Sequence, residues 1–285
     1  MKIAVLSGKG GTGKTLVSVN LASVAKESIY IDCDIEEPNG HLFLKPKNYV
    51  LEGISVKIPI VDERLCSGCR ICVDFCKFNA LAFIINKLIV FDDVCHSCGG
   101  CIVFCPEKAL SEKDKLIGIA QCGVSENVTV VTGTLNVGES SGVTIIKKLL
   151  KDFPLGKEFI FIDCPPGSAC IVMESIKDAD YCIIVAEPTL FGVHNLNMVY
   201  ELVKLFNKPH GVVLNKCLEG ENPSEKFCLE KDIRILGRIP FDQELGKLNS
   251  NALIAVRENQ TYRDLFSSLL QTVTKEVQHE TVTNP

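Results

Sequence analysis

The stretch MKIAVLSGKGGTGKT, residues 1–15, is the part of the sequence that decides the fold. Within it, GKGGTGKT at residues 8–15 fits the pattern G-x-x-x-x-G-K-[ST]. The apolar run KIAVLS precedes this pattern and predicts a buried strand, and the run LVSVNLASVAK after it suits a helix. A glycine-rich loop that opens a helix presents backbone N–H groups to phosphate. We therefore interpret residues 8–15 as a phosphate-binding loop; a glycine-rich turn without a ligand is the alternative that this context disfavours.

The residues of this loop have predicted roles in holding a nucleotide. We expect the Lys14 ammonium to reach the β- and γ-phosphates and the Thr15 hydroxyl to ligate Mg²⁺. The backbone N–H groups predicted to surround the phosphates are those of Gly10, Gly11, Thr12, Gly13, Lys14 and Thr15. A nucleotide with Mg²⁺ is therefore the expected ligand.

Alternating strand and helix patterns continue along the chain. Apolar runs predict strands at residues 2–7, 29–33, 55–60, 116–121, 127–133, 158–163, 180–186, 210–215 and 233–239. Helical patterns fall near residues 14–26, 141–151, 170–178, 193–206 and 261–277. Several of the strands are continuously apolar, as buried parallel strands are. The alternation predicts an α/β fold with a doubly wound, mostly parallel sheet.

Three further segments carry a resemblance to a known family. They are YIDCDIEEPN at residues 30–39, FIFIDCPPG at 159–167 and CIIVAEPTLFGVHNLN at 182–197. Together with Lys9, a second lysine just after the first glycine of the loop, they resemble the MinD/ParA/nitrogenase iron-protein superfamily. The phosphate loop of that superfamily is a deviant Walker A motif with such an extra lysine.

The resemblance implies a site for ATP or ADP with Mg²⁺ in a nucleotide-dependent homodimer. It implies that Lys9 reaches across the dimer and contributes to hydrolysis there. Asp34 matches the aspartate that organises water and holds Mg²⁺ in the superfamily. Asp163 matches the Walker B aspartate, which faces Mg²⁺ directly or through water from the end of a buried strand.

Two polar strand ends each have two alternative interpretations. Asn215, in VVLNKC at residues 212–217, matches an asparagine that reads adenine in relatives; a polar strand end is the alternative. Asp32 either supports the metal site or only ends its strand, and the sequence favours neither. The segment GRIPFD, residues 237–242, resembles the loop that closes over the base.

The cysteine pattern predicts a second kind of site. The spacing C-x2-C-x2-C-x3-C occurs in CSGCRICVDFCKFNAL, residues 66–81, and again in CHSCGGCIVFCPEKAL, residues 95–110. Each such run supplies three ligands to one [4Fe–4S] cluster, and its fourth cysteine ligates the other cluster. The sequence therefore predicts one cluster on Cys66, Cys69, Cys72 and Cys105, and another on Cys95, Cys98, Cys101 and Cys76. Zinc is the alternative metal, since C-x2-C pairs also bind zinc, but two complete runs fit cubane clusters better.

The cysteine runs also define the domain organisation. They resemble bacterial two-cluster ferredoxins, from which they depart at Lys77, where the second run has Pro106. We predict a small α+β ferredoxin domain at residues 61–112, inserted in an ATPase domain made of residues 1–60 and 113–285.

Composition excludes several functional classes. The net charge of −5 argues against a general nucleic-acid partner. No apolar run reaches the length of about 18 residues that a membrane span needs. Fifteen cysteines in a chain whose first residues lack the features of a signal peptide indicate metal ligation in a reducing cytoplasm, and disulfides are the weaker alternative.

Three functions are compatible with these patterns. The architecture resembles ferredoxin-containing MinD/Mrp-type ATPases, and the leading hypothesis is an ATPase coupled to electron transfer from an unknown donor to an unknown acceptor protein. An ATPase that assembles iron–sulfur or other metal centres in partner proteins is the second. The third is a MinD/ParA-like positioning ATPase. That class uses a basic amphipathic C-terminal helix, whereas residues 261–277 carry only Arg263 and Lys275 as basic residues and suit a helix that docks on the sheet.

Overall fold

The computed structural model describes residues 1–153 and 156–283, with side chains as far as residue 278. The chain divides into two compact units. The first comprises Met1–Leu51, Gln121–Thr134 and Ile146–Pro285, and the second comprises Glu52–Ala120 and Leu135–Ile145.

Strands and helices alternate along most of the described chain. The strands are β1 (Lys2–Leu6), β2 (Ser28–Asp32), β3 (Lys47–Val61), β4 (Leu81–Ile84), β5 (Lys87–Val90), β6 (Leu110–Ser125), β7 (Val128–Leu135), β8 (Phe159–Asp163), β9 (Tyr181–Ala186), β10 (His210–Cys217) and β11 (Ile235–Pro240). The helices are α1 (Lys14–Val24), α2 (Gly40–Leu44), α3 (Ile71–Phe75), α4 (Gly100–Val103), α5 (Val143–Lys151), α6 (Cys170–Ile176), α7 (Leu190–Leu205), α8 (Pro223–Glu230), α9 (Gln243–Ser250), α10 (Ala255–Glu258) and α11 (Gln260–Thr283).

The larger sheet that the structure describes has the strand order β11-β10-β9-β1-β8-β2-β7-β6-β3. The pairs that join β11 through β7 in this order are parallel. Only two residues, Glu126 and Asn127, connect β6 to β7, so these neighbours run antiparallel. The prediction of a mostly parallel α/β sheet is confirmed.

Strand register determines which side chains meet at the carboxyl edge of this sheet. Asp32 lies opposite Asp163 in the β2–β8 pair, and Val5 lies opposite Asp163 in the β1–β8 pair. Because parallel strands end at the same edge, the loops after β1, β2 and β8 converge there. This convergence brings the phosphate loop to both aspartates.

The core of the first unit lies between the sheet and its covering helices. Phe161 and Ile183 of the sheet are fully buried, and α1 contributes Val17 and Leu21 to the same cluster. On α11 the side chain of Phe266 is fully buried in that cluster. The sequence analysis predicted a docking helix here, and the burial of its apolar face confirms that prediction. Among the described residues, no helix is both long and apolar enough to cross a bilayer.

Several helices begin at side-chain caps next to the same edge. Thr189 accepts a hydrogen bond from the Gly192 N–H at the start of α7. Asp242 accepts from the N–H groups of Glu244 and Leu245 at the start of α9. Such caps satisfy the unpaired donors of a first helical turn, so they fix where each loop ends.

Some elements differ from the predicted ones. The strands expected at residues 55–60 and 116–121 are longer, and extend over Lys47–Val61 and Leu110–Ser125. Residues 47–53 are exposed on both faces, and such a segment has no apolar alternation to reveal it. The helices α2, α3, α4, α8, α9 and α10 were not predicted, because none is longer than eight residues.

The second unit repeats one structural pattern twice. Helices α3 and α4 occupy corresponding positions in the two cysteine-containing blocks, and β4 pairs antiparallel with β5. Two reciprocal hydrogen bonds tie the blocks together: Asp62 N–H donates to the Ala109 carbonyl, and Phe91 N–H donates to the Ala80 carbonyl, each at 2.8 Å. The internal repeat of the sequence is therefore a structural repeat, while the boundaries predicted at residues 61 and 112 remain predictions.

Candidate functional site

The phosphate loop connects β1 to α1 and requires glycine at a specific point. Gly13 has a φ of 98° and is the N-cap of α1, and a Cβ there would overlap the side-chain amide of Asn215. The helix begins at Lys14, so its first N–H groups face the loop. This arrangement offers backbone donors to an anion at the carboxyl edge of the sheet.

A cavity of about 680 Å³ opens beside this loop, within the size range of small-molecule sites. Four parts of the first unit line it: the phosphate loop, the segment after β2, the loop after β8, and the ends of β10 and β11 with α9. The lining residues are Ser7, Lys9, Gly10, Gly11, Gly13, Lys14, Thr15, Leu16, Asp34, Glu36, Glu37, Asn39, Phe43, Pro165, Pro166, Ile171, Asn215, Lys216, Pro240, Phe241, Asp242, Leu245, Gly246 and Asn249. The last three residues of the segment GRIPFD, residues 237–242, which resembles the loop that closes over a base, are part of this wall.

Lys14 is buried among carboxylates. Its Nζ lies 2.6 Å from Asp163 Oδ1 and 3.8 Å from Asp34 Oδ2. Burial alone would lower the pKa of Lys14, but the charge and hydrogen bond of Asp163 outweigh it and raise the pKa. The lysine therefore keeps its charge inside the protein and can exchange one anionic partner for another.

Two aspartates, one at the end of β2 and one just after it, have raised pKa values. Asp32 is buried, and accepts hydrogen bonds from the Asp34 N–H at 3.1 Å and the Gly40 N–H at 2.8 Å. Burial and the nearby charge of Asp163 raise the pKa of Asp32 to about 7. Burial, only partly offset by Lys14, raises the pKa of Asp34 to about 6. The site therefore concentrates negative charge that a cation would stabilise.

We expect the nucleotide-free chain to be less stable at pH 8 than at pH 5.5. The pKa of Asp32 is about 7 in the folded chain, against 3.8 for an ordinary aspartate, so folding takes up a proton between these values. The resulting stabilisation is lost as the pH rises toward 7. Thermal unfolding at the two pH values measures the loss, and Asp32→Asn is expected to reduce it. Equal losses in the wild type and in Asp32→Asn would contradict this expectation.

Lys9 is held by a carboxylate from another strand end. Its Nζ pairs with Oε1 of Glu187, which follows β9, and lies 5.1 Å from the centroid of the Phe191 ring. Lys216 Nζ lies 3.7 Å from the other oxygen of Glu187 and donates to the Gly11 carbonyl at 2.7 Å. Burial alone would raise the pKa of Glu187, but Lys9 outweighs it and keeps the pKa below its usual range. Glu187 therefore remains ionised and links two lysines around the phosphate loop.

Asn215 contacts the phosphate loop directly. It is buried, lines the cavity and donates from Nδ2 to the Thr12 carbonyl at 2.7 Å. Its role in reading a base remains a prediction, and this hydrogen bond also gives it a structural role. Thr15 lines the same cavity at the start of α1. Of the predicted nucleotide-site residues, all but Thr12 and Asp163 line this cavity, and Asp163 contacts the lining residue Lys14.

Sequence reasoning did not single out three polar residues of this site. Tyr30 donates its hydroxyl proton to Asp163 Oδ2 at 2.7 Å, and burial raises the pKa of Tyr30 well above its usual range. Glu187 and Lys216 form the pair around Lys9 described above. All three lie in segments noted for their resemblance, but their contacts join residues far apart in sequence.

In the second unit, two cavities are lined by cysteines of both runs. One is lined by Cys66, Cys69, Cys72 and Cys105, and the other by Cys76, Cys95, Cys98 and Cys101. Each cavity therefore collects three cysteines of one run and the fourth cysteine of the other. These are the two sets that the sequence analysis predicted.

Backbone donors point at cysteine sulfurs in a repeated way. The Ala80 N–H donates to Cys76 Sγ at 3.4 Å, and the corresponding Ala109 N–H donates to Cys105 Sγ at 3.3 Å. The Ser97 N–H donates to Cys95 Sγ at 3.5 Å. Hydrogen bonds to cysteine sulfurs are one means by which proteins set the potentials of iron–sulfur clusters. Among the side chains of residues 1–153 and 156–278, no three His, Cys, Asp or Glu residues converge closely enough for a single metal ion.

The carboxyl-edge loop, its buried lysine and the aspartates at two strand ends define a P-loop nucleotide-binding protein. The chain belongs to the CobQ/CobB/MinD/ParA nucleotide-binding domain family, whose model matches residues 3–255. This match spans the segments from β1 to α10.

Individual relatives agree with this family assignment. The uncharacterized protein MJ0578 of Methanocaldococcus jannaschii is 32% identical over 277 residues, which cover 95% of each chain. The iron-sulfur cluster carrier protein of the same organism is 24% identical over 299 residues, covering 97% of this chain and 85% of the carrier. The septum site-determining protein MinD of Pyrococcus horikoshii, solved with Mg-ADP, has the same fold, with a TM-score of 0.60, 19% identity and 95% of each chain covered.

Proposed function

We propose that this protein binds and hydrolyses ATP and couples that cycle to electron transfer through two [4Fe–4S] clusters. The observation that carries the proposal is a pair of cavities, each lined by three cysteines of one run and the fourth cysteine of the other run. A chain that also holds a P-loop site has the parts for both activities. The electron donor and acceptor would be separate proteins in a reducing cytoplasm.

The cysteines fit two cubane clusters better than any single metal ion. Each cavity offers four thiol ligands, which is the number that one cluster requires. Each cluster would accept and release one electron. Cys72 and Cys101 lie in the buried core of the second unit, whereas Cys69 and Cys98 are exposed. We infer from this exposure that electrons enter and leave next to Cys69 at one cluster and next to Cys98 at the other, within a ferredoxin domain of residues 61–112.

The nucleotide half of the proposal rests on Lys14 and the aspartates around it. Lys14 would turn from Asp163 to the β- and γ-phosphates and neutralise charge that develops there. Asp34 lines the cavity and would orient the attacking water. Thr15, Asp34 and Asp163 would hold Mg²⁺ directly or through water, and Mg²⁺ would supply further charge stabilisation.

A nucleotide-dependent homodimer completes the proposed site. Lys9 is only partly buried and is paired with Glu187, so it can leave that carboxylate for a nucleotide phosphate of a second copy. In that arrangement the dimer would form only with nucleotide bound. Glu187 would then retain Lys216 as its partner.

Replacing Lys9 by alanine is expected to abolish ATP-dependent dimerisation and to lower the hydrolysis rate by about 100-fold, the loss typical of a transition-state charge partner. Light scattering with and without a non-hydrolysable ATP analogue measures the first effect, and phosphate release measures the second. Lys26→Ala, which removes an exposed lysine beyond α1, is the control. A Lys9→Ala chain that still dimerises and hydrolyses like the control would remove Lys9 from the site.

The coupling between ATP binding and cluster reduction can be tested by measuring nucleotide affinity in the two redox states. Binding and redox equilibria that are linked must be linked reciprocally, so the two redox states must bind the nucleotide differently. We expect Mg-ATP analogue affinity to differ about tenfold between dithionite-reduced and oxidised protein, a difference equivalent to about 59 mV for one electron. Equal affinities in both states would leave ATP binding intact and refute the coupling.

The alternative of cluster assembly has a specific observation in its favour. Five of the matched relatives are named iron-sulfur cluster carrier proteins, at 24% to 28% identity. In that case clusters would pass to an acceptor protein, and the iron content of this chain would fall during incubation with a cluster-free ferredoxin. Retention of both clusters under those conditions favours electron transfer.

A further inference from the structure

Asp163 is held by two donors, one on each carboxylate oxygen. Lys14 Nζ lies 2.6 Å from Oδ1, and the Tyr30 hydroxyl lies 2.7 Å from Oδ2. Tyr30 and Asp163 are both buried. Tyr30 lies on β2 two residues before Asp32, which pairs with Asp163 in the parallel register. The hydroxyl therefore reaches the carboxylate from the adjacent strand.

The segment after β2 is shaped around this hydroxyl. A Cβ on Gly40 would overlap the Tyr30 hydroxyl, so a residue without a side chain is required at that point. The Gly40 N–H donates to Asp32 Oδ2 at 2.8 Å. One backbone position thus makes room for the tyrosine and also fixes the neighbouring aspartate.

When a nucleotide binds, one donor to Asp163 would move away and the other would stay in place. Lys14 sits at the end of a flexible four-carbon chain and, in the function proposed above, moves to the phosphates. The Tyr30 ring is fully buried in the core cluster of the first unit, so its hydroxyl cannot move with Lys14 toward the phosphates. Once Lys14 leaves, Oδ1 of Asp163 is available to Mg²⁺ while Oδ2 is still held.

We propose that Tyr30 is a positioning residue for nucleotide hydrolysis, whose hydroxyl holds Oδ2 of Asp163 and keeps Oδ1 directed at the metal. The inference rests on the proposed nucleotide site. Partners that orient a metal-binding carboxylate commonly change metal affinity by about 10- to 100-fold when they are removed. Tyr30 would therefore increase the affinity of the site for Mg²⁺, and would change the affinity for metal-free nucleotide little.

The test compares Tyr30→Phe with Tyr181→Phe, which removes the hydroxyl of another buried tyrosine, on β9. Binding of a fluorescent ADP is measured without Mg²⁺ and then over a series of Mg²⁺ concentrations, alongside ATP hydrolysis. In Tyr30→Phe we expect metal-free ADP affinity to stay within about twofold of the wild type, and the Mg²⁺ midpoint of binding to rise about tenfold. Tyr181→Phe is expected to change neither.

The outcomes separate this inference from the function on which it rests. If wild-type protein binds and hydrolyses Mg-ATP but the two variants have the same Mg²⁺ midpoint, the role of Tyr30 is refuted and the proposed function stands. A wild type that does not bind Mg-ATP refutes both. Gly40→Ala, which displaces the hydroxyl without deleting it, is expected to shift the midpoint in the same direction as Tyr30→Phe. An unchanged midpoint in Gly40→Ala with a folded chain would also refute the role.

Discussion

Replacing Cys76 and Cys98 together by serine is expected to leave one intact cluster, with about four iron atoms per chain instead of about eight. Both residues line the same cavity, although they belong to different runs. The other cavity, with Cys66, Cys69, Cys72 and Cys105, keeps all four ligands. Iron and acid-labile sulfide analysis, with EPR of the reduced protein, measures the result.

The matched variant replaces Cys69 and Cys76, which belong to the same run but line different cavities. It is expected to damage both clusters. If each run instead held its own cluster, the two results would be reversed: Cys69 with Cys76 would leave one cluster, and Cys76 with Cys98 would leave none. Both variants replace Cys76 and one exposed cysteine, Cys98 or Cys69. They therefore differ mainly in whether the two replaced cysteines line the same cavity.

Replacing Lys14 by methionine is expected to lower ATP hydrolysis by about 100-fold or more, since it removes the cation that would face the transferred phosphoryl group. The same change leaves Asp163 and Asp32 buried without their cation. Breaking a buried ion pair from one side costs about 3–5 kcal/mol, so the unfolding temperature should fall as well. Phosphate release and thermal unfolding measure the two effects.

Lys157→Met is the control for this change. Lys157 also pairs with a carboxylate, Glu27 Oε2 at 2.7 Å, but that pair is on the surface. Surface ion pairs contribute little to stability, so the control should retain its activity and nearly all its stability. A Lys14→Met chain that hydrolyses ATP at the rate of the control would contradict the assignment of the phosphate loop.

The parts of the fold that were predicted from the sequence are those with strong local signals. The phosphate loop is a contiguous motif, and continuous apolar runs such as FIFID at residues 159–163 identify buried strands. The crossed cysteine sets could be predicted because a repeat of fixed spacing restricts which thiols can meet. The loop and the strands are recognised over a few residues, whereas the cysteine sets are recognised from the spacing of two whole runs.

The parts that could not be predicted depend on long-range pairing. Nothing in the sequence near Lys9 indicates that its partner is Glu187, which follows a strand far along the chain. Likewise, Tyr30 reads as one more apolar residue of a buried strand until β2 and β8 are placed side by side. Strand register, which the sequence pattern does not specify by itself, decides both contacts.

The most direct test of the account is an anaerobic, EPR-monitored redox titration with and without a non-hydrolysable Mg-ATP analogue, repeated with Lys14→Met. We expect two [4Fe–4S] signals, and a nucleotide-induced shift of about 60 mV in at least one potential, equivalent to about 1.4 kcal/mol. The Lys14→Met chain should show both clusters and no shift. Two intact clusters whose potentials do not respond to nucleotide in the wild type would contradict coupled electron transfer, and the absence of any cubane signal would contradict the role assigned to residues 66–105.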